Sequence, residues 1–288
     1  MLLAAAPKGR NDYRHPVFMA LLTSGMQDYY AKKFSKAEDE FAAALAIVPD
    51  NTLVMAYLNA AADKDSRSLD GLAAQEENAV QTTPKNAFNY VRLAFTYIAE
   101  TMTGRDATGP ILQNLSSAAA LRGPRQAIHV AMGIVRFNEG AINQAKVEFL
   151  AALRDDPNNV LAREYLAQIY QTVLHEPQRA LSYAIPVANL LPNYADIQFH
   201  IGSILYDLRE PAQAARYVTS GLELDTGHVT EAGRFGYTLL ARIYIEQRKL
   251  ADARRALNAA VNSNSDAAYA RTLLEKIGRG DYDKPKSN

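Results

Sequence analysis

"FSKAEDEFAAALAIVP", residues 34–49, and "INQAKVEFLAALRDDP", residues 142–157, are one pattern written twice. Laid over each other, they match Ala37 with Ala145, Phe41 with Phe149, Ala44 with Ala152, Leu45 with Leu153 and Pro49 with Pro157. Apolar residues at i, i+4, i+7 and i+8 share one helix face. The closing proline lacks an N–H and keeps its predecessor out of helical geometry, so it ends the segment. An amphipathic helix closed by proline, met at two distant positions, predicts a duplicated structural unit.

The duplication continues along the chain. Prolines 49, 84, 124, 157 and 192 are spaced by 35, 40, 33 and 35 residues, and Thr226 follows Pro192 by 34. That period is characteristic of repeat architectures. Upstream of each lies a second apolar segment with a small residue at its middle, often followed by an aromatic: Gly25, Ala94 then Tyr97, Gly133, Ala167 then Tyr170, Gly202, and Ala241 then Tyr244. Helix backbones approach closely only where the crossing carries small side chains. The pattern therefore predicts helix pairs, with Gly133 facing Ala145, Ala241 facing Ala253, and Phe41, Phe149 and Leu257 filling the space towards the next pair.

On these residues the sequence resembles the tetratricopeptide-repeat (TPR) family. The best-matching stretch is 126–159, where Met132, Gly133, Ala145, Phe149, Ala152 and Pro157 take the family's positions and His129 stands where tryptophan is usual. The resemblance covers about residues 18–277. It implies an all-α fold, a right-handed α-solenoid of stacked helix–turn–helix repeats. Seven repeats are expected at 18–51, 53–86, 87–124, 126–159, 160–192, 195–228 and 234–267, followed by a capping helix at 267–277 that turns Tyr269, Leu273, Leu274 and Ile277 inward. The second repeat is degenerate, with Ala60, Leu72 and Glu76 at the small, alanine and phenylalanine positions, so its second helix should be the least well packed. "TMTGRDATGP", residues 101–110, widens the turn inside the third by about six residues. A shorter insertion around residues 227–233 precedes the seventh. Residues 1–15 are expected to be poorly anchored, with Pro16 early in the first helix, and 278–288 to form a flexible tail.

Lys+Arg and Asp+Glu are equal at 31 each, so no net field draws the molecule to phosphates, and nucleic acid is not an expected partner. The absence of cysteine excludes disulfides, thiolate metal sites and a cysteine nucleophile. "MLLAAAPKGR" at the start is a poor secretion signal and reads as a truncation scar. No apolar run reaches the roughly 20 residues of a membrane-spanning helix. The compartment stays open, the cytoplasm being favoured over the periplasm, and so does the oligomeric state.

No P-loop, GxGxxG, HExxH or GxSxG occurs, and the histidines at 15, 129, 175, 200 and 228 make no i,i+4 pair. No catalytic residue, cofactor or metal is expected, and the chain does not read as an enzyme. The tripeptides Asn114-Leu115-Ser116 and Arg279-Gly280-Asp281 are short enough to arise by accident. Arg248, Lys249, Arg254 and Arg255 are interrupted by Glu246 and Asp252 and read as a solvated face.

In TPR proteins the first helix of each pair lines a concave groove, and the resemblance carries its groove positions onto Met19, Thr23, Met26 and Tyr30; Phe88, Arg92 and Phe95; Ile134 and Asn138; Tyr165 and Gln168; His200 and Asp207; and Arg242. This strip is apolar and aromatic in its N-terminal half and polar in its C-terminal half. Exposed, such residues would anchor a partner. The alternative is that tight curvature or the N-terminal segment covers Met19, Met26, Phe88 and Phe95. TPR co-chaperones that hold acidic chaperone tails use Lys and Asn on the first groove helix, where this chain has Leu22 and Met26, and only Arg92 matches on the third. An apolar or mixed peptide is expected instead. The function so implied is a protein-interaction scaffold or adaptor that binds an extended peptide or helix of a partner. The alternative is a structural subunit that assembles through its repeat ends or convex face.

Overall fold

The computed structural model describes residues 13–65, 68–263 and 266–282. Within them the helices fall in pairs: α1 (Pro16–Tyr30) with α2 (Phe34–Ile47), α3 (Thr52–Lys64) with α4 (Ser68–Thr82), α5 (Ala87–Met102) with α6 (Thr108–Ala120), and α7 (Arg125–Asn138) with α8 (Ile142–Asp155). α9 (Val160–Gln168) runs on through a π-helical turn, Ile169–Val173, before α10 (Pro177–Leu190). α11 (Ala195–Asp207) and α12 (Pro211–Leu224), then α13 (Glu231–Glu246) and α14 (Leu250–Asn262), complete the pairs, and α15 (Ala267–Gly278) follows. This is an all-α solenoid.

Local chemistry accounts for the helix starts. Asn51, Asn86 and Asn159 cap α3, α5 and α9, their side chains accepting the N–H of Val54, Phe88 and Ala162, which satisfies a donor the helix leaves orphaned. Pro177 and Pro211 open α10 and α12, where a missing N–H costs nothing. The tight turns between helices are made by left-handed residues, including Lys32, Gly140, Arg209 and Arg248.

The helices gather into two compact lobes. The first is Met1–Tyr29 with Lys33–Ile169, and the second is Tyr30–Lys32 with Tyr170–Asn288. In the first lobe one aromatic module occurs twice at an offset of 108 residues. A Cβ added to Gly25 would lie 2.6 Å from Phe41, and one on Gly133 would lie 2.6 Å from Phe149. Each phenylalanine then stacks on a tyrosine of the next pair, Phe41 on Tyr57 at 5.2 Å and Phe149 on Tyr165 at 4.9 Å. Tyr29 and Phe137 meet those same tyrosines edge-on. The glycine thus makes room for the phenylalanine ring. In the second lobe Phe199 of α11 is wedged between Gly221 of α12 and Gly236 of α13.

The segment before α13 is ordered by one carboxylate. Asp225 is buried and accepts the N–H groups of Val229 and Thr230 and the Thr230 hydroxyl, while Thr230 caps α13 at Gly233. In the degenerate pair, α4 buries only Leu69, Ala73 and Glu76 among its described side chains. Of the N-terminal residues expected to be poorly anchored, 1–12 lie outside the described residues, and Tyr13 is buried against Phe18. Of the expected tail, residues 283–288 lie outside them. No described helix is long and apolar enough to cross a membrane.

Candidate functional site

In the first lobe, α3, α5, α7 and α9 touch in sequence, and α9 returns to α3. Polar side chains at three helix starts tie this ring at one end. The Gln126 amide donates to the Asp50 carbonyl at 3.1 Å and to Asp50 Oδ2 at 2.9 Å. Asn159 Nδ2 donates to Gln126 Oε1 at 3.2 Å, and Thr52 donates its hydroxyl to Asn159 Oδ1 at 3.3 Å. All four residues are buried. A buried polar group costs free energy unless it is paired, and here each side chain finds its partner on another helix or another turn. Burial pushes the Asp50 carboxyl above its ordinary pKa, opposed by the Gln126 hydrogen bond.

Further along the same helices the ring encloses a cavity of about 290 Å³. Its walls are Ala56 and Ala60 of α3, Leu69 of α4, Phe95, Ile98 and Ala99 of α5, Ile134 of α7, and Leu161 and Tyr165 of α9. Asn59 stands among them, and Asp63, Met102 and Thr103 are exposed lining residues. Three of the lining residues are alanines, whose short side chains leave space that larger ones would fill. The Tyr165 hydroxyl has no hydrogen-bond partner among the described residues, and burial pushes its phenol up to about 12, with the nearby Glu164 charge adding to the shift.

Beside this cavity sits a buried ionic cluster. Glu76, only 4% exposed, occupies the phenylalanine position of the degenerate pair. Arg92 Nε and Nη2 each lie 3.2 Å from Glu76 Oε1. The Thr96 hydroxyl donates to Glu76 Oε2 at 2.7 Å and lies 3.0 Å from the Asn59 amide oxygen. Burial raises the Glu76 pKa, while Arg92 and Thr96 pull it down.

The structure scatters the fourteen expected groove residues. Phe95, Ile134 and Tyr165 come together on the cavity. Met19 and Thr23 are half-buried; Met26 and Tyr30 are buried, the Tyr30 hydroxyl accepting the Ala195 N–H at 3.0 Å. Phe88 lines a different cavity of about 490 Å³ with Lys85, Arg122 and Arg125. Arg92 serves Glu76 instead of facing outward alone. Asn138 and Gln168 are exposed. In the second lobe His200 is half-buried, and burial lowers its pKa to about 4. There the Asp207 carboxylate accepts a hydrogen bond from Gln171 at 2.7 Å, and the Arg242 guanidinium lies 5.1 Å from the Tyr206 ring centre. The cavity residues of α3, namely Ala56, Asn59, Ala60 and Asp63, escaped the sequence reading because their repeat looked degenerate. Their signal was an asparagine inside an otherwise apolar helix, "LVMAYLNAAA".

No family model matches the chain, and no curated protein matches it. Solved structures do. The chain is similar to YrrB, described as a TPR protein with an unusual peptide-binding site, at 19% identity and a TM-score of 0.53, over 70% of this chain and 99% of YrrB. It is similar to PilF of Pseudomonas aeruginosa at 14% identity and a TM-score of 0.54, over 91% of this chain and 99% of PilF. The Cut9–Hcn1 assembly of the APC/C matches 90% of this chain at 14% identity and a TM-score of 0.64, over 48% of the matched chain. At such identities the likeness is one of fold.

Proposed function

We propose that this chain, an all-α solenoid with the tetratricopeptide-repeat fold, is a protein-interaction scaffold that takes a peptide segment of a partner on the inner face of its first lobe. The observation that carries this reading is the cavity of about 290 Å³ between α3, α5, α7 and α9, walled by large apolar side chains and left unfilled by the chain's own described residues. An apolar hollow in water is costly unless something covers it, and clefts with apolar walls and few polar groups are the usual seats of ligands. YrrB, described as having a peptide-binding site, lends the reading support by analogy of fold.

Photo-crosslinking tests it. A crosslinker at Asn138 or Gln168, exposed on the first helices of their pairs, should capture the partner, and one at Val147, 61% exposed on α8, should not. Capture from Val147 alone would overturn the inner-face reading. It would favour the second reading, assembly through the outer face, which Val147 and Leu150 support as neighbouring exposed apolar side chains on α8.

A further inference from the structure

We infer that the cavity is a socket for one leucine- or phenylalanine-sized side chain of a peptide whose neighbouring residue is basic; this rests on the inner-face reading above. Three observations choose that occupant. First, about 290 Å³ sits at the lower edge of the roughly 300–1,000 Å³ range of small-ligand clefts. It suits a single side chain better than a cofactor or a helix.

Second, the pocket is lined by an amide, Asn59, whose hydrogen-bonding capacity the described residues use only in part. Asn59 is 3% exposed and lines the cavity. One end of its amide faces Thr96, and the other has no partner among the described residues. An amide so placed calls for a hydrogen-bonding group from the occupant. A peptide group carries both an N–H and a C=O, so it satisfies whichever end of the asparagine faces the pocket, and the Tyr165 hydroxyl offers a second point of attachment. A plain hydrocarbon would leave both unsatisfied.

Third, the charge among the lining residues is negative. Asp63 is the one lining residue charged at neutral pH, and its ion-pair partner among the described residues is its neighbour Lys64, at 3.7 Å. A carboxylate at this position disfavours an anionic ligand such as a fatty acid and favours lysine or arginine beside the inserted residue. The Glu76 carboxylate behind Asn59 is already neutralised by Arg92.

The test is a methyl and side-chain amide NMR titration of the full chain with the capped tetrapeptide Ac-Ser-Leu-Lys-Ser-NH2. Saturable shifts of the Asn59 side-chain NH2 and the Ala60 and Ala99 methyls are expected. Replacing the peptide's leucine by alanine should abolish them. Replacing its lysine by glutamate should weaken binding about fivefold, the worth of one partly exposed ion pair. Ala60→Leu on α3 and Ala99→Leu on α5, which fill the hollow from two different helices, should each block binding; testing both guards against one of them failing to fold. Shifts that persist in a folded Ala60→Leu or Ala99→Leu chain, or an equal response to hexan-1-ol, would overturn the proposal. If the peptide leaves the pocket silent while Asn138 and Gln168 still crosslink a partner, the socket falls and the inner-face reading stands.

Discussion

Arg92 Nε lies 3.2 Å from Glu76 Oε1, so a residue expected to face a partner instead neutralises a carboxylate standing where the repeat wants phenylalanine. Breaking a buried pair from one side leaves a charge without compensation, whereas replacing both partners by apolar groups is often neutral.

Arg92→Met should therefore cost about 3–5 kcal/mol, read from urea denaturation at neutral pH. The double variant Glu76→Leu/Arg92→Met should recover most of that loss. The pH dependence has a definite sign. Burial holds the folded pKa of Glu76 above its unfolded value near 4.5. Its contribution is thus whole below 4.5 and is lost as pH rises through the folded pKa. The stability of Arg92→Met should fall more steeply above pH 4.5 than that of the parent. Parallel pH curves would show that the carboxylate is not the cause.

Glycine substitutions separate packing from propensity. A Cβ on Gly133 would lie 2.6 Å from Phe149, so Gly133→Ala must displace a ring stacked on Tyr165, at about 1–3 kcal/mol. Gly71 in α4 has nothing within 4 Å of its added Cβ, and Gly71→Ala should stabilise by about 0.5–1 kcal/mol. Thermal melts followed by circular dichroism should move in opposite directions for the two.

Asn159 holds three groups at once: the Thr52 hydroxyl, the Gln126 amide and the Ala162 N–H. Asn159→Ala strands buried partners on α3 and α7, and a loss of about 2–4 kcal/mol is expected. Hydrogen exchange should quicken at the start of α3, near Val54, as well as at α9. An effect confined to α9 would mean that the asparagine acts only as a helix cap.

His200 should make the chain acid-sensitive. Its folded pKa, lowered by burial to about 4, lies below the ordinary 6.5, so the unfolded chain takes up a proton that the folded chain refuses. Stability should decline as pH falls from 6.5 towards 4, by about 1–2 kcal/mol once the half-exposure of the ring is allowed for. His200→Gln should flatten that part of the curve, measured by chemical denaturation at several pH values.

The all-α repeat was legible in the sequence because its signal, the match of Phe41 with Phe149 and its neighbours, lies in residues close along the chain. The caps of Asn51 and Asn159 and the helix starts at Pro177 and Pro211 are equally local, though the repeat pattern did not single them out. The floor and walls of the cavity were not legible. Thr52 meets Asn159 across 107 positions only because the small rotations of several successive pairs add up to bring α9 back onto α3, and no single residue encodes that sum. The packing of α4 on α5 turned Glu76, a flaw by repeat statistics, into Arg92's partner, and the closure of the ring made a hollow out of alanines that look unremarkable one by one. Local periodicity determined what the elements are; accumulated geometry decided which of their faces remain open.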